Sequence, residues 1–181
     1  MKKLFALVLA LVLALSAAAL GEAYGNLYIN SDFGLMVSLP TGWTIQTSKD
    51  LGEGSAPGTE LGSTYTLMQG TDKDGIENFI VNTITVGAYS AIMSEDLLLT
   101  TVEGNLAEQY KQLGFTPVVS RETIYFLGEI HDSLLLSVAA YGMTITQRYA
   151  VIVDGQYGIE FTATGLSAES TLTMMNGVSK Y

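Results

Sequence analysis

His131 and its neighbours carry the residue types with the clearest potential for chemistry. His131 is the only histidine of the chain, and it lies in the stretch EIHDSLLLSV beside Asp132 and two residues before Ser133. Serine, histidine and aspartate together form the triad of many hydrolases. Adjacent residues of a strand point to opposite faces, so His131 and Asp132 cannot pair directly, and the Gly-x-Ser-x-Gly nucleophile elbow is absent from the sequence. The sequence therefore favours a structural or surface histidine.

The stretch DKDGIE, Asp72 to Glu77, offers possible ligands for a cation. Its carboxylates at Asp72, Asp74 and Glu77 are of the type that Ca²⁺ prefers. A calcium loop also needs ligands at further fixed positions and a distant bidentate glutamate. Aspartate and glycine are typical of a tight turn between strands, so the sequence favours a turn without a metal.

Three charged residues, Arg121, Arg148 and Glu160, interrupt apolar strand patterns in the second half of the chain. They are predicted to share the outer face of a sheet. Cross-strand ion pairing is one explanation for such residues. A polar ligand site on the sheet is the alternative.

Two asparagines occupy unusual positions in a predicted strand. Asn78 and Asn82 are expected on the same face as Ile80 and Ile84, where an apolar surface would otherwise form. Buried amides need hydrogen-bond partners. This face is therefore either partly solvated or part of a pocket.

The elements that position these residues begin with FGLMVSLPTGW, Phe33 to Trp43. Leu35 and Val37 alternate with polar or exposed positions, which indicates a half-buried strand. Pro40 lacks an N–H group and ends the strand. Trp43, the only tryptophan, is predicted to cover the core, and a tryptophan that stacks on a ligand is the alternative.

A change of period marks one long helix after the first strands. Between Ser94 and Gly114 the apolar residues recur every three or four positions, which is typical of an amphipathic helix. They are Leu98, Val102, Leu106, Tyr110 and Leu113. Ser94 is a suitable N-cap, and Gly114 is a suitable stop.

The second half of the chain returns to strands and ends in a short helix. Strands are predicted at 117–127 and 129–141, and Asp154-Gly155 indicates a tight hairpin. The helix is expected from about Ser167, with Leu172, Met175 and Val178 on its apolar side. The fold class is therefore α+β, a largely antiparallel sheet covered by one long helix and one short C-terminal helix.

The first 23 residues have the pattern of a signal peptide. A basic start precedes seventeen uncharged residues, and small residues allow cleavage after Ala19, Gly21 or Ala23. A retained membrane anchor is the alternative, since seventeen apolar residues reach the lower limit for spanning a bilayer. No cysteine is present, which excludes a lipoprotein, thiol chemistry and cysteine–zinc sites. Residues 24–181 are predicted to form one secreted or envelope domain, with no membrane contact after cleavage.

The chain is strongly acidic, with a net charge of −10. Loss of Lys2, Lys3 and Glu22 with the leader leaves 6 basic and 17 acidic residues, a net charge of −11. Phosphate contacts need lysine and arginine, so nucleic acid is excluded as a partner, and anionic lipid is an unfavourable surface.

The stretch FGLMVSLPTGW and the order of elements after it resemble the PsbP-like α/β/α sandwich family, over residues 28–180. The resemblance implies that fold. Plant and cyanobacterial members are extrinsic subunits of the water-oxidising photosystem, and others are adaptor-like or exported bacterial proteins. It therefore implies a binding or accessory module more than an enzyme. No motif here carries over a photosystem role or a metal site.

Three functions follow as hypotheses. The leading one is an exported, non-catalytic binding or accessory module without a cofactor, whose partner is an extracytoplasmic protein or a small ligand. The alternative is a carrier of a small apolar or amphipathic molecule, lined by tyrosines, methionines and the asparagine-bearing strand. The third is a hydrolase that uses two carboxylates, with Glu122 and Glu160 as the first pair to consider. The residues proposed for a ligand or surface site are Trp43, Asn78, Asn82, Arg121, His131, Arg148 and Glu160.

Overall fold

The computed structural model describes residues 21–54, 56–140 and 142–181. The predicted signal peptide falls almost entirely on residues 1–20, which lie outside the described residues. Eleven strands and two α-helices form in these ranges. The strands are β1 (Glu22–Tyr24), β2 (Leu27–Asn30), β3 (Leu35–Ser38), β4 (Thr44–Thr47), β5 (Thr64–Thr71), β6 (Asn78–Thr85), β7 (Val118–Phe126), β8 (Glu129–Ala140), β9 (Met143–Asp154), β10 (Tyr157–Gly165) and β11 (Val178–Lys180). The helices are α1 (Glu95–Gln112) and α2 (Ala168–Asn176).

Seven strands form one antiparallel sheet in the order β4-β5-β6-β10-β9-β8-β7. Tight turns make neighbours of strands that follow each other in the chain. Gly155, at φ +55°, closes the β9–β10 turn, and Gly75, at φ +70°, lies in the β5–β6 turn. In that second turn Asp72 Oδ1 accepts hydrogen bonds from the backbone N–H groups of Ile76 and Glu77. Asp72 therefore closes the DKDGIE stretch as a turn, and Glu77 Oε1 accepts the backbone N–H of Leu166 outside it.

Helix α1 covers one face of this sheet, which we call the helix face. Ser94 caps it by accepting the N–H of Leu97, as predicted. The predicted apolar stripe contacts β8 and β9 through Leu98, Val102, Leu106 and Tyr110. Leu113 was predicted to share this contact, which is wrong. The helix ends at Gln112, and the Leu113 side chain is 69% exposed.

The opposite face, which we call the core face, is covered by α2 and a second sheet of order β1-β2-β3-β11. Its central side chains are fully buried and include Tyr28, Val37, Phe79, Val81 and Phe161. Phe126 and Phe161 pack edge to face, with ring centroids 4.8 Å apart. The core of the domain lies between the two sheets.

The turn at PTGW works as predicted. The Trp43 N–H donates to the Pro40 carbonyl at 3.3 Å, and Gly42 adopts φ +91°. Trp43 is buried and belongs to the core between the sheets. Its structural role is confirmed.

The ends of the second sheet differ from the prediction. The C-terminal helix ends at Asn176, and Val178, expected on its apolar side, instead lies in β11 beside Val37. Strand β1 includes Ala23, which pairs with Tyr28. Cleavage after Ala19 or Gly21 would leave β1 whole, and cleavage after Ala23 would remove two of its three residues. Among the helices formed by the described residues, none has both the length and the apolarity to cross a bilayer.

Candidate functional site

The structure distributes the seven predicted site residues over several places instead of one site. Trp43 lies in the core. Arg121, Arg148 and Glu160 were predicted to share one face, which is wrong: strand register puts Arg121 and Glu160 on the helix face and Arg148 on the core face. The sheet therefore separates Arg148 from the other two.

Arg121 links the edge strand β7 to helix α1 by hydrogen bonds. Its guanidinium donates to the Asp96 carboxylate, to Glu103 Oε2 at 3.1 Å and to Thr100 Oγ1 at 2.7 Å. The two carboxylates raise the pKa of Arg121, chiefly through their hydrogen bonds. The predicted ion pairing exists, but its partners are on the helix and not on a neighbouring strand. All of these bonds are internal, so Arg121 is a structural residue.

Arg148 is a buried structural residue on the core face. Its side chain is 3% exposed, and Nη1 donates to Glu122 Oε2 at 2.9 Å and to Ser133 Oγ at 3.3 Å. Its buried Nε has no hydrogen-bond partner. Glu122, Ser133 and Arg148 lie on β7, β8 and β9, so this is the cross-strand ion pair that the sequence suggested.

The asparagine-bearing half of the helix face is partly solvated. Asn78, Ile80, Asn82 and Ile84 are all half-buried, whereas the residues between them point into the core. Glu160 pairs with Asn82 across β10 and β6. Burial raises the pKa of Glu160, and a hydrogen bond with Asn82 partly opposes this effect. The half-buried side chains give this face partial solvation, but Asn82 Oδ1 is buried there and has no hydrogen-bond partner among the described residues.

The raised pKa of Glu160 predicts a pH-dependent gain in stability on substitution. A carboxyl whose pKa rises on folding loses stability as the pH increases from its unfolded pKa through its folded pKa. We expect Glu160→Gln to stabilise the protein at pH 7 and to have little effect near about pH 3, where glutamates are protonated. Urea unfolding at both pH values tests this, with Glu108→Gln on the exposed side of α1 as the control. An equal gain at both pH values would contradict the explanation.

A cleft at one end of the sandwich, which we call the end cleft, brings together several residues of different elements. Its volume is about 420 Å³. The β7–β8 turn, the β9–β10 turn, the first turn of α1, the β2–β3 turn and β11 form its walls. The polar side chains that line it are Glu95, Glu129, His131, Asp154 and Lys180, and its aromatic residues are Phe33 and Tyr181.

His131 is the most constrained polar residue of the end cleft. Its side chain is only 10% exposed, its Nδ1 lies 3.0 Å from Glu95 Oε2, and its ring packs edge to face against Phe126. A carboxylate can only accept a hydrogen bond, so Nδ1 carries the proton and neutral His131 has a lone pair on Nε2. Among the described residues no partner hydrogen-bonds to Nε2. This nitrogen is available to a ligand.

The wall beside His131 has an unusual backbone. Leu127, which also lines the end cleft, adopts φ +53° in the β7–β8 turn and is the only non-glycine residue with positive φ in the described ranges. A bulky side chain rarely adopts this conformation. Burial of Leu127 in the core compensates for it and gives the turn one defined shape.

The geometry offers no support for the catalytic alternatives. Glu122 lies on the core face of β7 and Glu160 on the helix face of β10, three strand spacings or about 14 Å apart, beyond the about 10 Å of a glycosidase pair. Ser133 is bonded to Glu122 and Arg148. Within the described ranges no three acidic or histidine side chains are arranged to hold a metal ion.

No family model matches the chain, and no curated protein matches it by sequence. Solved structures match it by fold. The solution structure of cyanobacterial PsbP from Synechocystis sp. PCC 6803 has a TM-score of 0.55 and 13% identity, over 88% of this chain and 95% of that chain. The crystal structure of LpqN, involved in cell envelope biogenesis of Mycobacterium tuberculosis, has a TM-score of 0.43 and 15% identity, over 80% of this chain and 82% of that chain. The similarity to cyanobacterial PsbP shows that the chain has a PsbP-like α+β fold.

Proposed function

We propose that this protein is an exported, non-catalytic binding module that holds its partner in the end cleft. One observation carries the proposal: His131 is nine-tenths buried, is held in one orientation by Glu95, and leaves Nε2 without a partner at the cleft. Nε2 is not among the buried atoms without a partner, so it is open to solvent at the cleft. A bound partner can therefore reach it and donate a hydrogen bond to it.

The surroundings of His131 suit binding better than catalysis. Glu95 orients the ring, but the nearest serine along the strand, Ser133, is already engaged by Arg148 and by a backbone carbonyl. A nucleophile must lie within hydrogen-bond reach of its base, and Ser133 is held by other groups. His131 therefore serves as a fixed acceptor for a ligand.

Export is supported by the leader-like pattern of residues 1–23. The strongly acidic composition keeps such a domain soluble outside the cell. The partner is accordingly an extracytoplasmic protein or a small molecule of that compartment.

The clefts that are lined by described residues do not favour the carrier alternative. Three of them, of about 420, 360 and 180 Å³, are open to solvent. Met68, Met174 and Met175, which a carrier pocket would use, are fully packed in the core.

A blocking experiment tests the proposed function. The chain has no cysteine, so a single introduced cysteine can be labelled with a bulky maleimide. Glu129→Cys places the label in the end cleft, and Thr144→Cys places it at the far end of β9, about 33 Å from Asp154 along the strand. The labelled proteins are compared for capture of partners from the extracytoplasmic fraction of the native host.

We expect a partner that binds the unlabelled protein and the protein labelled at position 144, but not the protein labelled at position 129. Capture that both labels leave unchanged would contradict the proposal, since the end cleft would then be dispensable. Circular dichroism of each labelled variant establishes that it is folded.

A further inference from the structure

We propose that the end cleft binds a positively charged ammonium group, presented by a lysine side chain or by a free amine. The inference rests on the proposed function and adds the chemistry of the ligand. It depends on the balance of charges and of hydrogen-bond acceptors around His131.

The end cleft contains more acceptors than donors. Glu95, Glu129 and Asp154 contribute three carboxylates, and Lys180 is the one basic side chain among its lining residues besides His131. Carboxylates only accept hydrogen bonds, and Nε2 of His131 accepts as well when the ring is neutral. A ligand that complements this wall must therefore supply several N–H donors, and a positive charge adds Coulomb attraction.

Two of the carboxylates are engaged with neighbours, and one is open. Glu95 is bonded to His131, and Glu129 Oε1 lies 3.2 Å from Lys180 Nζ. Asp154 makes no ion pair among the described residues. It is the last residue of β9, directly before Gly155, and lines the end cleft. Asp154 is therefore the natural counter-ion for an incoming cation.

The aromatic rings of the end cleft also favour a cationic ligand. Phe33 and Tyr181 line the end cleft, and Phe33 is held by an edge-to-face contact with Tyr157 at 5.6 Å. The face of an aromatic ring attracts cations, and it also packs against the methylene groups of a lysine or arginine. An anionic ligand would gain from neither feature.

Lys180 occupies part of this site from within the chain. Its ion pair with Glu129 is exposed on both sides, at 68% and 67%. Such pairs contribute little to stability, so an external cation can displace Lys180 from Glu129. Removal of Lys180 should therefore strengthen binding of a cation and weaken binding of an anion.

The test is a titration of the ¹⁵N-labelled protein, purified from an exporting host, followed by NMR. The probes are acetyl-Ala-Lys-Ala-amide, the same peptide with norleucine or glutamate in place of lysine, and n-butylammonium. We expect the lysine peptide to shift the amides of His131, Asp154 and Lys180, and the norleucine and glutamate peptides to leave them unchanged. If n-butylammonium binds as tightly as the lysine peptide, the natural ligand is a free amine. If the peptide binds more tightly, the ligand is a side chain of a protein.

Two variants should change the affinity for the lysine peptide in opposite directions, and each has a matched control. Asp154→Asn keeps a residue that suits the turn before Gly155 and removes only the charge, so we expect about threefold weaker binding of the lysine peptide. Asp74→Asn before Gly75 is the matched control and should leave the affinity unchanged. Lys180→Met should tighten binding about threefold. Lys111→Met removes the same charge about 24 Å from Glu95 along α1, and we expect it to leave the affinity unchanged.

Preferential binding of the glutamate peptide, weaker binding by Lys180→Met, or absence of shifts with both cationic probes would overturn the inference. The last result, together with a partner lost on labelling position 129, would leave the proposed function intact and refute only the cationic ligand.

Discussion

Gly177→Ala is expected to destabilise the protein by about 3 kcal/mol or more, a large effect for the addition of one methyl group. Gly177 joins α2 to β11 and has an ordinary φ of −75°, so backbone strain is not the cause. A Cβ atom at this position would lie well inside 3.0 Å of the Ser38 carbonyl oxygen. The Gly177 carbonyl accepts the Ser38 N–H at 2.8 Å, which holds the two backbones together.

Relief of this clash must separate β11 from β3 and thereby disturb the second sheet. Urea unfolding measures the loss. Gly104→Ala within α1 is the control, because nothing lies within 4 Å of its added Cβ and alanine favours a helix by about 1 kcal/mol over glycine. A Gly177→Ala protein as stable as the wild type would show that the two backbones are not in close contact.

Glu122→Ala is expected to destabilise the protein by about 2 to 3 kcal/mol, because it leaves the buried Arg148 charge without its carboxylate. Glu122 is itself 41% exposed, so the loss is smaller than for a fully buried pair. Ser133 Oγ would remain as a neutral partner at 3.3 Å from Nη1. The unpartnered Nε of Arg148 already adds to the cost of burying this side chain.

The double variant Glu122→Ala with Arg148→Met separates the burial of charge from other effects of the substitution. We expect it to recover stability to within about 1 kcal/mol of the wild type, since methionine fills the space without a charge. Glu129→Ala, in the exposed pair with Lys180, should show no measurable loss. Equal losses in the single and double variants would contradict the explanation from an unpaired buried charge.

The sequence predicted those parts of the fold whose signal is local. The stripe from Leu98 to Tyr110 and the Asp154-Gly155 turn each follow from a repeat or a dipeptide, and the structure confirms them. Strands β1 and β11 have three residues each and form only because the second sheet surrounds them. Such short segments carry no period that can be recognised.

The faces of the strands were harder to predict than the strands themselves. Along β6 each set of alternate residues has two apolar and two polar members, so periodicity could not distinguish Ile80 and Ile84 from Phe79 and Val81. The choice of buried face depends on the second sheet and α2, which lie far away in sequence. Arg148 was placed on the wrong face for the same reason.

The end cleft could be predicted only in part. His131 was named as a candidate from its rarity, but Phe33, Glu95, Asp154 and Lys180 come from four separate segments. None of them has a local pattern that points to a binding site. Their meeting depends on how the two sheets and α1 close on one end of the sandwich, which is a property of tertiary structure.

Site-specific photo-crosslinking tests the central claim, that the end cleft is the binding surface, most directly. A benzophenone maleimide is attached to the Glu129→Cys or the Thr144→Cys protein, and each is irradiated with the extracytoplasmic fraction of the native host. The account predicts a discrete crosslinked product from position 129 that is absent from position 144. The same product from both positions, or from position 144 alone, would contradict it.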